Sequence, residues 1–105
     1  MIQCEAKRGT PQVKVTFILA DDGYGVAVVG DFNGWDPTAA PMAKKGAQRV
    51  ATMVLAPGRR YGFRYLCEDG KWLNDEAADA YEPNAFGVDN SVLDLTGVAG
   101  PRPAR

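Results

Sequence analysis

The stretch Tyr61-Gly62-Phe63-Arg64-Tyr65-Leu66-Cys67-Glu68-Asp69-Gly70-Lys71-Trp72-Leu73 alternates, turns and resumes. Side chains on a strand point to opposite faces in turn, so Tyr61, Phe63, Tyr65 and Cys67 share one face and Gly62, Arg64 and Leu66 the other. Glu68-Asp69-Gly70 supplies residues that tolerate a tight reversal. The reading is strand, turn, strand. The aromatic face is turned to a core, which turns Arg64 outward.

The same grammar extends in both directions. Val13, Val15, Phe17 and Leu19 alternate with Lys14, Thr16 and Ile18, the pattern of a half-buried strand. Asp21-Asp22-Gly23 is a turn, and residues 25–29 are rich in β-branched side chains and read as a second strand. Residues 30–37 (Gly-Asp-Phe-Asn-Gly-Trp-Asp-Pro) are dense in turn formers. Residues 41–42 read as a short edge piece, Lys44-Lys45-Gly46 as a turn, and 48–55 as a strand. Pro57-Gly58 then leads into the opening stretch. Beyond it, 74–89 is irregular, with 75–81 read as one helical turn capped by Asn74. Residues 90–95 form a last strand, and 97–105 a loose tail. Short strands between turn signals, with no long helix, predict an all-β sandwich.

The bulk composition bounds the function. One domain is expected from 105 residues, 46% of them apolar and 24% charged. The net charge is -1, from 12 basic and 13 acidic residues, so no positive field favours nucleic acid. There is no histidine, which removes the commonest general base and most zinc sites. Cys4 and Cys67 are expected to be reduced and unpaired. No apolar run is long enough to span a bilayer, and the first ten residues lack the apolar run of a leader. A soluble cytoplasmic protein, with no membrane partner, is the expectation.

Four residues stand out one by one. Trp35 and Trp72 sit beside turns, where a flat indole can lie against the C–H face of a pyranose ring. The other reading of each is a cap on the open end of the core. Arg64 carries a planar fork of donors suited to sugar hydroxyls, or is a solvated surface cation. Asn90 offers both a donor and an acceptor, or bonds its own backbone in a turn.

Catalysis has little support. A glycosidase needs two carboxylates about 5 to 9 Å apart. Asp69, Asp75, Glu76, Asp79 and Asp89 are candidates by type, and no spacing singles out a pair. Asn74-Asp75-Glu76 lacks the ligand spacing of a calcium loop. The glycine patterns of nucleotide-binding loops are missing. No catalytic residue, metal or cofactor is expected.

Three strings together carry a resemblance. They are Val29-Gly30-Asp31-Phe32-Asn33-Gly34-Trp35-Asp36-Pro37, then Tyr61 to Leu66 with Asp69-Gly70-Lys71-Trp72-Leu73-Asn74-Asp75, then Ala78-Asp79, Tyr81, Pro83-Asn84 and Gly87-x-Asp89-Asn90-Ser91-Val92. In order and spacing they resemble carbohydrate-binding module family 48, the isoamylase N-terminal or early-set domain. That family includes the glycogen-binding domain of AMP-activated protein kinase β subunits. The resemblance implies an immunoglobulin-like antiparallel β-sandwich over residues 13–95, after an N-terminal segment 1–12 and before a flexible tail 96–105. It also implies a stand-alone bacterial form.

By the same resemblance, an α-glucan such as glycogen or starch lies on Trp35, Arg64, Trp72 and Asn90, with Phe86 inserting into it. The implied function is non-catalytic binding of α-1,4-linked glucan, as polysaccharide or oligosaccharide. The rival is a protein-interaction module that docks onto a glycogen-metabolising enzyme, with sugar binding weak or lost.

Overall fold

A computed structural model describes residues 2–6, 12–21 and 23–96. It contains nine strands: β1 (Ile2–Ala6), β2 (Val13–Ala20), β3 (Val26–Gly30), β4 (Ala43–Lys45), β5 (Gln48–Leu55), β6 (Arg60–Cys67), β7 (Trp72–Leu73), β8 (Ala80–Pro83) and β9 (Asp89–Asp94). Two antiparallel sheets form an immunoglobulin-like sandwich. One runs β1-β2-β5-β4, and the other β3-β6-β9-β8, with β7 also paired to β6.

Alternation decides what each strand buries. Val13, Val15 and Phe17 of β2 are wholly buried and meet Ala51 and Leu55 of β5. From the facing sheet come Val28, Tyr61, Phe63, Tyr65 and Leu93, with Leu95 just past the end of β9. Fully burying one such aliphatic or aromatic side chain stabilises by roughly 1.5–3 kcal/mol. Phe17 packs edge-on against Phe63, with ring centroids 5.2 Å apart. This contact crosses from one sheet to the other.

The predicted strands at 13–19, 25–29, 48–55, 61–67 and 90–95 are present within a residue or so at each end. Three details differ. Residues 2–6, read only as a polar N-terminal segment, add an edge strand in register with β2, Ile2 opposite Phe17. Lys44 and Lys45 lie in β4, paired to β5, rather than in the turn, which falls at Gly46. Lys44 also lies 3.2 Å from Asp21, which bonds Arg49 as well, so the charges tie this edge to the loop after β2. Pro41 does form an edge contact, a single bridge to Ala27 of β3.

The helical turn expected over 75–81 does not form. Asp75 is buried instead, and the chain enters β8 at Ala80. Tyr65 Oη donates to Asp75 Oδ2 over 2.6 Å, the Asp75 N–H donates to Ser91 Oγ, and Tyr81 Oη donates to the Asp75 carbonyl. These long-range bonds override a weak local helical preference. Burial, and then the bond to the Asp75 carboxylate and its charge, push the Tyr65 phenol far above the ordinary tyrosine range. Cys4 is exposed on β1, Cys67 is buried on β6, and no disulfide joins them. Apart from Thr96, the tail at 96–105 lies outside the described residues. No helix among the described residues is long and apolar enough to cross a membrane.

At Gly30, β3 lies against β6 with no room for a side chain. A Cβ there would fall 2.5 Å from the Gly62 carbonyl oxygen and 2.7 Å from Phe63 Cβ. Neither neighbour is a flexible tip that could swing aside, so the strands would have to part. Gly30→Ala should therefore lose about 1–3 kcal/mol of stability, the range for overpacking. Urea unfolding checks it, and a loss under about 0.5 kcal/mol, the size of an ordinary surface change, would contradict the account.

Candidate functional site

Strand parity also decides what faces outward on the β3-β6-β9-β8 sheet. Tyr61, Phe63 and Tyr65 point into the core, so Gly62 and Arg64 point away from it. On β9, Ser91 and Leu93 are the inward residues, which leaves Asn90 outward. Trp72 pairs with Leu66, an outward position of β6. Arg64, Trp72 and Asn90 thus reach one outer face from three strands.

Trp35 arrives from a loop. After β3 the chain makes one 3-10 turn at Asp31–Asn33 and reverses through Gly34 and Trp35, at φ of 66° and 60°. Trp35 is the one described non-glycine residue with positive φ, a backbone choice that costs a side-chain-bearing residue free energy. Four bonds hold it there. Asn33 accepts the Gly30 N–H at 3.1 Å and donates to the Val28 carbonyl at 3.0 Å. The Trp35 N–H donates to the Gly30 carbonyl at 2.9 Å. The indole Nε1–H donates to Asp31 Oδ1 at 2.9 Å. Asp31 Oδ2 accepts the Gly62 N–H at 2.7 Å, which fastens the loop to β6. Beyond the indole, the Thr38 N–H and hydroxyl both donate to Asp36 and hold its carboxyl below the usual range.

These elements enclose an open cavity of about 680 Å³, lined by Asp31, Trp35, Arg64, Trp72, Asn84, Phe86, Val88 and Asn90. All five residues singled out from the sequence therefore meet at one place. Trp72 is 42% exposed and Phe86 90% exposed, so neither serves the core. Exposed large apolar side chains gathered on one concavity mark a binding surface rather than an ordinary one. The Arg64 guanidinium lies 5.8 Å from the Trp72 ring centroid, and its Nε–H donates to Asn74 Oδ1. Asn74 also accepts from the Ser91 N–H and hydroxyl, which locks the arginine's partner to β9.

Sequence reasoning missed Asp31, Asn84 and Val88. Asp31 carried one signal, its position four residues before Trp35. None of the five acidic residues weighed for catalysis lines the cavity. Among the described residues, no cluster of three or more His, Cys, Asp or Glu converges as a metal site.

Residues 9–85 match the family model for carbohydrate-binding module 48 (isoamylase N-terminal domain), most of the chain, and the chain belongs to that family. It is 32% identical over 69% of its length to the 1,4-alpha-glucan branching enzyme GlgB of Rhodopirellula baltica. It is 31% identical over 83% of its length to the GlgB of Rhodopseudomonas palustris. It is also 31% identical over 90% of its length to the chloroplastic phosphoglucan phosphatase LSF1 of Arabidopsis thaliana. The chain spans only 10%, 13% and 16% of those three relatives.

Asp31 holds the Trp35 indole in place, so removing the carboxylate should release it. In a Trp72→Phe background Trp35 is the remaining tryptophan. Asp31→Ala should then shift its emission to longer wavelength and lower its anisotropy, at a stability cost of about 1 kcal/mol. Unchanged emission would mean that packing alone fixes the ring.

Proposed function

We propose that this family member holds a linear α-1,4-linked glucan in the aromatic cavity without acting on it. One observation carries the reading. Two indoles, a guanidinium and a carboxamide, contributed by sequence positions from 35 to 90, open onto the same cavity. The indoles offer apolar faces to the C–H faces of neighbouring sugars. Arg64 and Asn90 supply hydrogen bonds to hydroxyls, and Phe86 stands at the rim where it can press on the bound chain. The lining carboxylate, Asp31, already accepts two N–H groups, so it serves structure rather than proton transfer.

The unit proposed to do this is residues 13–95, with Ile2–Ala6 as an added edge strand. The proposed ligand is glycogen- or starch-like, which fits relatives named as glucan-branching enzymes and a phosphoglucan phosphatase. The proposed setting is the cytoplasm, beside a glycogen-metabolising enzyme.

Two stacked rings and a few exposed hydrogen bonds should give micromolar to millimolar affinity for one site. A polymer with many sites raises retention by avidity. Native electrophoresis in gels containing glycogen or amylopectin is the test. The wild type should be retarded, and a Trp35→Ala, Trp72→Ala double variant of verified fold should run freely. Each single variant should weaken binding about tenfold or more, the value of one desolvated aromatic side chain. An unretarded wild type would overturn the proposal.

A further inference from the structure

Asn84 lines the cavity, and its side chain bonds the segments that carry both Phe86 and Asn90. Its Oδ1 accepts the Phe86 N–H at 2.8 Å and the Val88 N–H at 3.4 Å. Its own N–H donates to the Val88 carbonyl at 2.8 Å, and its carbonyl accepts the Gly87 N–H at 3.2 Å. Loop 84–88 is thereby closed on itself with Phe86 at the tip. The remaining end of the amide, Nδ2, donates to Asn90 Oδ1 at 3.0 Å.

These bonds fix which way each amide points. The oxygen and nitrogen ends of an asparagine are similar in shape, so only their partners tell them apart. Backbone N–H groups can only donate, so the atom of Asn84 facing Phe86 and Val88 must be its oxygen. Its nitrogen therefore faces Asn90, and the Asn90 atom that meets it must accept. Asn90 Oδ1 is thus turned toward Asn84, from which it accepts. The Asn90 Nδ2 lies on the Gly62 side, 3.6 Å from where a Cβ on that glycine would sit. Of the neighbouring polar groups, Arg64 likewise offers donors. Arg64 uses Nε on Asn74 and leaves its two Nη groups. Both oxygens of Asp31 already accept.

We infer that Asn84 is a positioning residue, which turns the Asn90 amide so that its N–H2 end faces the ligand and makes this wall a set of donors that reads sugar oxygens as acceptors. The selectivity rests on the proposed glucan reading, whereas the amide orientation does not.

The test uses isotopically labelled full chain. Without any ligand, the Asn90 side-chain amide protons should show nuclear Overhauser contacts to the Gly62 Hα protons. Asn84→Asp keeps an oxygen for Phe86 and Val88 but sets oxygen against Asn90 Oδ1. In that variant the Asn90 amide should turn over and the contact should vanish, with the thermal midpoint near wild type. Titration with maltoheptaose should then show affinity about five- to tenfold weaker than wild type, the loss of one buried hydrogen bond. A wild type without the contact overturns the inference, and so does an Asn84→Asp variant that keeps it. The wild-type contact decides alone should the variant not fold. An Asn84→Asp protein that loses the contact yet binds maltoheptaose as tightly as wild type overturns the selectivity. A wild type that shows the contact but binds no maltoheptaose supports the orientation and sinks the glucan reading instead.

Discussion

Asp31 accepts the Gly62 N–H with one oxygen and the Trp35 indole N–H with the other. That carboxylate joins the loop after β3 to the strand beneath it, and the rest of the cavity is arranged around the join. It works only because Gly30 lets β3 approach β6 with no side chain between them. A wider gap would lift Asp31 off Gly62, and the indole would lose its anchor. The positive φ of Trp35 is the local cost of this arrangement. The bonds through Asn33 and Asp31 offset it.

β6 serves two purposes at once. Its odd-numbered residues, Tyr61, Phe63 and Tyr65, build the core, while Arg64 between them lines the cavity and the Gly62 N–H holds Asp31. Side chains on a paired strand sit in fixed register, so Arg64, opposite Val29, and Asn90, opposite Glu82, are held by the ladders of the sheet that carries half the core. The loop-borne groups, Trp35 and Phe86, are fastened by asparagine and aspartate side chains that bond nearby backbone. A binding face built this way loses little conformational freedom when a ligand arrives. That matters for a shallow site, where each contact contributes little.

Much of this was legible in the sequence because it rests on alternation. The strands, the outward turn of Arg64 and the hairpin at 68–70 follow from period two and turn chemistry. What local pattern cannot carry is a bond to a residue far along the chain. Asp75 lies in a stretch that reads as a weak helical turn, yet it is captured by Tyr65 and Ser91, which belong to β6 and β9. Asp31 reaches a backbone N–H thirty-one positions away. Asn84 falls in a stretch that reads as irregular, and its bond to Asn90 exists only because β8 and β9 are paired. The sequence did point to the large aromatic and polar groups facing the cavity. It was silent on the small residues that aim them.

The charge pattern of the cavity bears on the kind of ligand it suits. One carboxylate and one guanidinium line it, so it carries no strong net field. Steering by long-range attraction is therefore weak, and recognition must rest on shape and contact. Apolar faces from Trp35, Trp72, Phe86 and Val88 meet donors from Arg64 and Asn90. A ligand matched to this wall is neutral, has apolar faces and carries oxygens along its edges. A pyranose chain has that character along its whole length. The cavity is open rather than closed, so it does not confine a ligand to one short unit.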